Sequence, residues 1–484
     1  MIPVNNPRRT TIYPVVVRFF AKEGFFMAKT HEIDMTNGSI FKKILLYSLP
    51  LIFSGILQLL FNAADVVVVG KFSGSLSLAA VGSTSSLVNL LVNTVIGISV
   101  GANVLVARYY GAGEQREISR CVHSAMSLSI LLGVLAGLAG FFFATPLLEW
   151  MDTDPEVLPL ASLYLKIYFL GTPATVIYNF GAAILRAVGD TDRPLQYLLL
   201  SGVANVILNL ITVIVFHMDV VGVAIATVTS QLISAFLVVR CLMSTEGAYQ
   251  LIPTKLRFHW DMVGRIAAIG LPAGLQSALF SLSNMLIQSA VNSFGYVTMA
   301  GDSAGKSLSD FPYIAMNAFY HASMSFTSQN YGARKFDRIR KVWSSCLILA
   351  TVVGILLGAA FCIFSRELLS LYISKAEPQR EAILAVGQVR LLYLGLTYFL
   401  CGIMETLNGA QRGLGRSWTP LIISTLGSCV LRIIWVEVVF GCFRSLEVLY
   451  LSYAASWLLT SLAHGIALKI IARRQLKHPA NSVL

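Results

Sequence analysis

Charged residues are scarce in this sequence. Only 12% of its 484 residues are Asp, Glu, Lys or Arg, and 56% are hydrophobic, whereas a soluble domain carries about 25% charged residues. The mean hydropathy is +0.72. This composition excludes an ordinary soluble domain and predicts a protein embedded in a membrane.

Paired cysteines and enzyme motifs are also missing. The seven cysteines stand singly without CxxC spacing, so we expect packing residues rather than disulfides or metal ligands. The sequence contains no Walker loop and no HExxH motif. GISVG at 97–101 matches a GxSxG nucleophile pattern, but it lies within an apolar run instead of at a strand-to-helix turn. We expect neither enzyme activity nor a cofactor.

Twelve apolar stretches recur along the chain, each long enough to cross a bilayer, which takes about 20 residues. They predict an all-α integral membrane protein with twelve transmembrane helices. The predicted spans are 41–69, 78–107, 118–144, 157–185, 195–217, 220–243, 261–293, 297–330, 338–364, 381–411, 418–440 and 446–471. The predicted domains are a polar tail at 1–35, a six-helix lobe at 36–243, a linker at 244–260, a second lobe at 261–472 and a tail at 473–484.

The basic residues predict the orientation. The net charge is +12, yet no basic helix face interleaved with aromatics indicates nucleic-acid binding. Of the 36 Lys and Arg residues, 27 fall in the two tails and the alternate loops on one side of the predicted bundle. By the positive-inside rule, we expect both termini to lie on the cytoplasmic side of an inner membrane. Met27 would serve as a natural start before the first span.

Three pieces of the chain recur at a nearly constant offset. SLPLIFSGILQLLFN at 48–62 matches GLPAGLQSALFSLSN at 270–284, YGAGEQREISR at 110–120 matches YGARKFDRIRK at 331–341, and RAVGDTDRP at 186–194 matches RGLGRSWTP at 412–420. The offsets are 222, 221 and 226 residues. Because six spans per half is an even number, both halves enter from the same side, and the interface between them should hold a substrate path.

Polar residues form a stripe on the first predicted span. Gln58, Asn62 and Asp65 are four and three residues apart and share one helix face. An isolated carboxylate at membrane depth costs roughly 2.5 to 3.5 kcal/mol, so Asp65 needs a partner, water or a proton. Protonation and cation binding would compete there, as ion coupling requires. A structural acid near the helix end is the alternative. Further pairs occur at Asn89 and Asn93 and at Asn205 and Asn209, either facing Asp65 or joining helices.

The second half carries stripes of its own. Lys306, Asp310, Asn317 and His321 fall within one arc of the eighth span. A Lys and an Asp four residues apart would partly neutralise each other, either as a structural pair or as part of a transport site. The other candidates in this half are Glu405 on the tenth span and Asn284 and Gln288 on the seventh.

The sequence resembles the multidrug and toxic compound extrusion (MATE) family, and is most similar to its MepA-like and DinF-like bacterial branches. The matching pieces are QLLFNAADVVVVG, RYYGAG, LRAVGDTDRP, VVGVAIATVTSQ and SQNYGARK. The resemblance implies two V-shaped six-helix lobes and drug export driven by protons or sodium ions. It assigns Asp65 and Asn205 to family positions. Asn209 stands where many relatives have an aspartate, and Phe280 lies near the glutamate of another branch.

We therefore expect a multidrug antiporter that exports organic cations or amphipathic drugs in exchange for H+ or Na+, with a possible Na+ position near Asp65. A monomer surrounded by membrane lipids is expected. A lipid-linked-oligosaccharide flippase and a membrane-embedded enzyme are the alternatives. The flippase would be expected to have a strongly basic cavity, and the enzyme a nucleophile and base.

Overall fold

The computed structural model describes residues 32–375 and 377–477, so Met27 and most of the predicted N-terminal tail lie outside the described residues. Twelve helical spans run along the described chain. They are α1 (Ile40–Phe72), α2 (Gly74–Ala112), α3 (Gln115–Trp150), α4 (Leu158–Ala187), α5 (Asp192–Leu210, continued by Ile211–Val215), α6 (Asp219–Ser244), α7 (Trp260–Asn292), α8 (Tyr296–Gly332), α9 (Phe336–Ile363), α10 (Arg380–Gly395 and Tyr398–Gly413), α11 (from Trp418–Ser424 to Trp435–Phe440) and α12 (Leu446–Lys477).

The helix ends differ from the predicted ends by up to six residues, as at Trp150 of α3, and one span differs in shape. The tenth was expected as one helix, but its two segments meet at a bend of 46°. The last helix was expected to end at 471 and instead continues to Lys477. A short helix, Ser365–Ser370, also precedes α10.

Ten described helices are long and apolar enough to cross a membrane, and α10 makes eleven if its two segments form one span. The remaining long helix is α8, which has 37 residues. Its polar stripe, which includes Lys306 and Asp310, explains why it is less hydrophobic than the others.

The two lobes, α1–α6 and α7–α12, touch at one end of the bundle, here called the closed end. This end holds the start of α1, the linker between α6 and α7 and the end of α12. Hydrogen bonds join the lobes there. Ser325 of α8 donates to Asn103 Oδ1 of α2 at 3.1 Å, and Gln329 of α8 donates to the Ala187 carbonyl of α4 at 2.7 Å. Within the first lobe, Asn103 Nδ2 donates to the Ala183 carbonyl at 2.9 Å, which holds Asn103 in place.

Glycines allow α2 and α8 to cross closely at the closed end. A Cβ added to Gly111 would lie 1.9 Å from the Gln329 carbonyl oxygen, and one added to Gly332 would lie 1.9 Å from the Arg108 carbonyl oxygen. Gly111 and Gly332 are equivalent positions of the internal repeat, as are Arg108 and Gln329. The crossing therefore has the two-fold symmetry that the repeat predicts, and only glycine fits at its two contact points.

The first helix of each lobe is shared between both lobes. The first half of α1 packs on α8 and α9 through Ile44 and Tyr47, and its second half packs within its own lobe through Val68 and Val69. In α7, Ile266 likewise packs in the core of the first lobe, and the end of the helix packs against α11 and α12. Pro50 and Pro272 lie inside these two helices.

The linker between α6 and α7 is fixed to the first lobe. Tyr249 and Leu251 are buried in its core, and the Ile252 N–H donates to His123 Nε2 of α3 at 3.1 Å. The start of α7 is held by an ion pair between Arg120 and Asp261 at 2.8 Å. The linker thus fills the groove between α3 and α6 at the closed end.

Candidate functional site

The first lobe contributes a polar wall where the lobes separate. On α2, Gly97 and Gly101 touch α7, while Asn93 and Asn89 continue the same face by one and two turns and are exposed. On α1, Gly55 contacts Ile314 of α8. The exposed residues Gln58 and Asn62 lie one and two turns further along that face. These four predicted residues therefore line a cleft between the lobes, which opens away from the closed end.

The second lobe contributes the opposite wall. Asp310 and Lys306 lie one and two turns from Ile314 on the same face of α8, with Lys306 exposed and Asp310 partly buried. Their side chains form no ion pair within 4 Å. On α7, Asn284 and Gln288 continue the face of Gly274, which packs on α2. The cleft wall on this side carries both signs of charge.

Asp65 lies in a polar cluster with two asparagines of α5. Asn209 Nδ2 donates to Asp65 Oδ1 at 2.5 Å and approaches Asn205 Oδ1 at 3.3 Å. Both asparagines are buried, and Asn209 Oδ1 accepts no hydrogen bond from the described residues. A carboxylate and two amide oxygens, one of them without a donor, suit either a proton or a small hard cation.

Local packing places this cluster. Phe61 lies one turn before Asp65, and its ring occupies the space that a Gly202 side chain would fill. This contact holds α1 against α5, so that Asp65 reaches Asn209. Directly after Asn209 and Leu210, α5 widens into a π-helical turn, Ile211–Val215. Such turns often occur at functional sites. The second lobe has a π-helical turn at the corresponding place, Trp435–Phe440.

Three predicted residues of the second lobe are separate from Asp65. Glu405 and Asn408 are buried on α10, where Asn408 Nδ2 donates to the carboxylate at 3.4 Å. His321 is buried beside Tyr320, with 5.0 Å between ring centroids, and Asn317 lies one turn away, partly buried. The structure therefore divides the predicted residues among the Asp65 cluster, the cleft walls and the interior of the second lobe.

A buried ion pair in the second lobe was missed by the sequence analysis. Asp302 of α8 is fully buried and accepts hydrogen bonds from Arg390 Nη1 at 2.5 Å and from the Tyr450 hydroxyl at 2.7 Å. Asp302 lies one turn before Lys306, so extending the Lys306–Asp310 stripe by four residues would have found it. Its partners lie on α10 and α12, and no sequence spacing indicates that these helices meet there.

The protein has two pseudo-symmetric lobes of membrane-spanning helices around a polar cleft. This arrangement defines a transporter that carries solutes through the cleft between its two lobes. The MatE family model matches residues 50–211 and 272–436, one match in each lobe. The chain therefore belongs to the MatE family. The two matches begin 222 residues apart, as the internal repeat predicts.

Similar proteins support this assignment. The chain is 26% identical to the probable multidrug resistance protein YpnP of Bacillus subtilis (strain 168), over 82% of this chain and 88% of YpnP. It is 22% identical to the multidrug export protein MepA of Staphylococcus aureus (strain MSSA476), over 77% of this chain and 83% of MepA. The predicted resemblance to MATE transporters is thus confirmed.

The fold is also that of a solved structure described as the outward-facing conformation of a multidrug resistance MATE family transporter of the MOP superfamily. The TM-score is 0.85 with 20% sequence identity, over 93% of this chain and 99% of that chain. The predicted all-helical architecture of two six-helix lobes is confirmed.

Proposed function

We propose that this protein exports organic cations and amphipathic drugs from the cytoplasm in exchange for H+ or Na+. The observation that carries the proposal is the pairing of a one-sided polar cleft with the Asp65 cluster beside it. The closed end would face the cytoplasm, as the distribution of Lys and Arg indicates, and the cleft would face outward. Transport would proceed by the lobes closing over the cleft and separating at the closed end.

Asp65 is the proposed coupling residue, because its carboxylate lies beside the cleft and is hydrogen-bonded to Asn209. An ionised Asp65 attracts a proton, Na+ or an organic cation, and a bound ion would reduce its attraction for the drug. Asn205 and Asn209 would hold the carboxylate in place. Gln58, Asn62, Asn89 and Asn93 would offer hydrogen bonds to a drug in the cleft.

The test measures efflux of cationic dyes from vesicles under separate proton and sodium gradients. Asp65→Asn keeps the size of the side chain but removes its charge, so gradient-driven efflux should be lost while membrane insertion persists. Glu437→Gln is a matched control, because Glu437 is exposed on α11. Normal efflux by Asp65→Asn would contradict coupling at this residue. Asp310 would then be the next candidate, tested by Asp310→Asn.

The substrate class has its own test. Among the described residues, the cleft walls carry amides and both signs of charge, whereas a strongly basic cavity is expected of a lipid-linked-oligosaccharide flippase. Monocationic dyes should therefore be transported by the purified monomer in vesicles. Transport only of anions or lipid-linked sugars would contradict the proposed substrate class and favour the flippase.

A further inference from the structure

A groove lies on the lipid-facing side of the second lobe, between α9 and α12 at the closed end. It has a volume of about 380 Å³ and is lined by apolar residues along its length and by basic residues at its outer part. The lining residues are Arg340, Trp343, Gly465, Leu468, Lys469, Ala472 and Arg473. Its base is the packed cluster that joins α12 to α10.

The apolar part of the groove is preformed. A Cβ added to Gly465 would meet no atom within 4 Å, so the groove is open there. The Trp343 indole is fixed, because its Nε1 donates to Thr327 Oγ1 at 3.0 Å. An alkyl chain could therefore lie along the groove without displacing a side chain.

The basic part of the groove has no acidic partner among the described residues. Arg340, Lys469 and Arg473 are exposed and form no ion pair within the part of the chain that the structure describes. Asp337, the nearest acid along α9, is not paired with Arg340. Three unpaired cations at the end of a transmembrane groove match a phosphate group at headgroup depth.

The first lobe provides an internal comparison. Its groove between α3 and α6 is crossed by the linker, where the Leu251 N–H donates to the Leu242 carbonyl of α6 and the Ile252 N–H donates to His123 Nε2 of α3. The positions equivalent to Arg340 and Trp343 are Ser119 and Val122. The α9–α12 groove has no such cover among the described residues.

We propose that the groove between α9 and α12 binds an anionic phospholipid, with its phosphate at Arg340, Lys469 and Arg473 and an acyl chain across Gly465 against Trp343. The occupant is a membrane lipid, because the groove joins an apolar channel to a cationic end at the membrane surface. The site is separate from the cleft and does not depend on the transported substrate.

Trp343 itself can report occupancy. The full-length protein is placed in phosphatidylcholine vesicles that contain brominated phosphatidylglycerol or brominated phosphatidylcholine, and the quenching of tryptophan fluorescence is measured. Subtracting the signal of Trp343→Phe isolates the Trp343 contribution. Brominated phosphatidylglycerol should quench Trp343 at a much lower fraction of lipid, since each cation near the surface contributes roughly fivefold in affinity. Equal quenching by both lipids would overturn the proposal.

Two variants separate charge from shape. The triple variant Arg340→Gln, Lys469→Gln, Arg473→Gln should raise the half-quenching fraction of phosphatidylglycerol by at least about tenfold. Its matched control neutralises three exposed cations elsewhere at the closed end, Lys42→Gln, Arg240→Gln and Lys255→Gln, and should leave quenching unchanged. Gly465→Leu fills the open part of the groove and should abolish the preference, whether or not the triple variant folds. Unchanged preference in Gly465→Leu would overturn the proposed acyl position.

Two further measurements distinguish other occupants. Added glycerol 3-phosphate should not relieve quenching if the acyl chain is required, and relief at millimolar concentration would indicate a simple phosphate site instead. Deleting residues 478–484 should leave quenching unchanged. If quenching appeared only after this deletion, the groove would belong to the C-terminal segment and the lipid proposal would be wrong.

Discussion

Gly332→Ala should open the closed end. The added methyl would lie 1.9 Å from the Arg108 carbonyl oxygen, whereas real Cβ contacts essentially never fall under 3.0 Å, so α2 and α8 must separate by about 1 Å. The added Cβ of residue 332 and the Arg108 carbonyl oxygen are both fixed by the backbone, so neither can rotate away from the other. Overpacking of this kind costs about 1 to 3 kcal/mol. A conformation in which the helices have separated escapes this cost, so 2 kcal/mol would shift the population roughly 30-fold toward it.

The population can be measured as a distance between the lobes. Spin labels at Gln115 and Asp337, exposed residues at the starts of α3 and α9, report the gap at the closed end, after the exposed Cys442 is replaced by serine. Gly332→Ala should add a longer distance or strengthen one already present. Gly111→Ala should act in the same way, because its added methyl would lie 1.9 Å from the Gln329 carbonyl oxygen at the symmetric crossing point.

Gly264→Ala is the control for this series. Gly264 lies on α7 at the same end, and a Cβ there would meet nothing within 4 Å, so the distance distribution should not change. If Gly332→Ala and Gly264→Ala gave the same distribution as the parent protein, the close crossing would not be what keeps this end closed.

Three other predictions test separate parts of the molecule. Asp302→Asn should lower thermal stability strongly, since breaking a buried ion pair costs about 3 to 5 kcal/mol. Tyr450→Phe removes one hydrogen bond and should cost about 1 kcal/mol. Similar losses of thermal stability in the two variants would contradict the assignment of a buried ion pair to Asp302. Asn209→Asp should change the ion dependence of dye efflux while activity persists, and an unchanged response to proton and sodium gradients would exclude Asn209 from the coupling site. In whole cells, with the exposed Cys442 replaced by serine, a cysteine at Asp154 should react with an impermeant maleimide and one at Glu117 should not. Equal labelling would refute the orientation.

The sequence predicted the polar face of α1 because helix periodicity is local. Gln58, Asn62 and Asp65 share a face on any α-helix, and a buried acid in an apolar run needs a polar partner. To predict the pairing of Asp65 with Asn209, one must also know that α1 packs against α5. That contact depends on Phe61 fitting against Gly202, a match of shapes between distant residues that one sequence does not reveal.

Other features were beyond local patterns for related reasons. We expected Asp310 to neutralise Lys306 from their spacing alone. In the structure, the buried ion pair instead joins the nearby Asp302 to Arg390 of α10. The bend in α10 at Leu396 and Thr397 follows Gly395 and not a proline, and an isolated glycine is tolerated within many helices, so the sequence alone did not mark the bend. The internal repeat, by contrast, was readable because matched residues at a fixed offset do not depend on knowing how helices pack.

The sharing of α1 and α7 between the lobes restricts where the protein can flex. Each helix is fastened to one lobe by its first half and to the other by its second half, and the linker offers no slack because it is bonded along the first lobe. Any rocking of the lobes must therefore bend both helices. Pro50 and Pro272 interrupt the backbone hydrogen bonds at equivalent positions within the first halves, before Gly55 and Gly274 contact the opposite lobe. We expect these two prolines to let the first halves bend where they lie against the opposite lobe, so that both sides of the cleft move together.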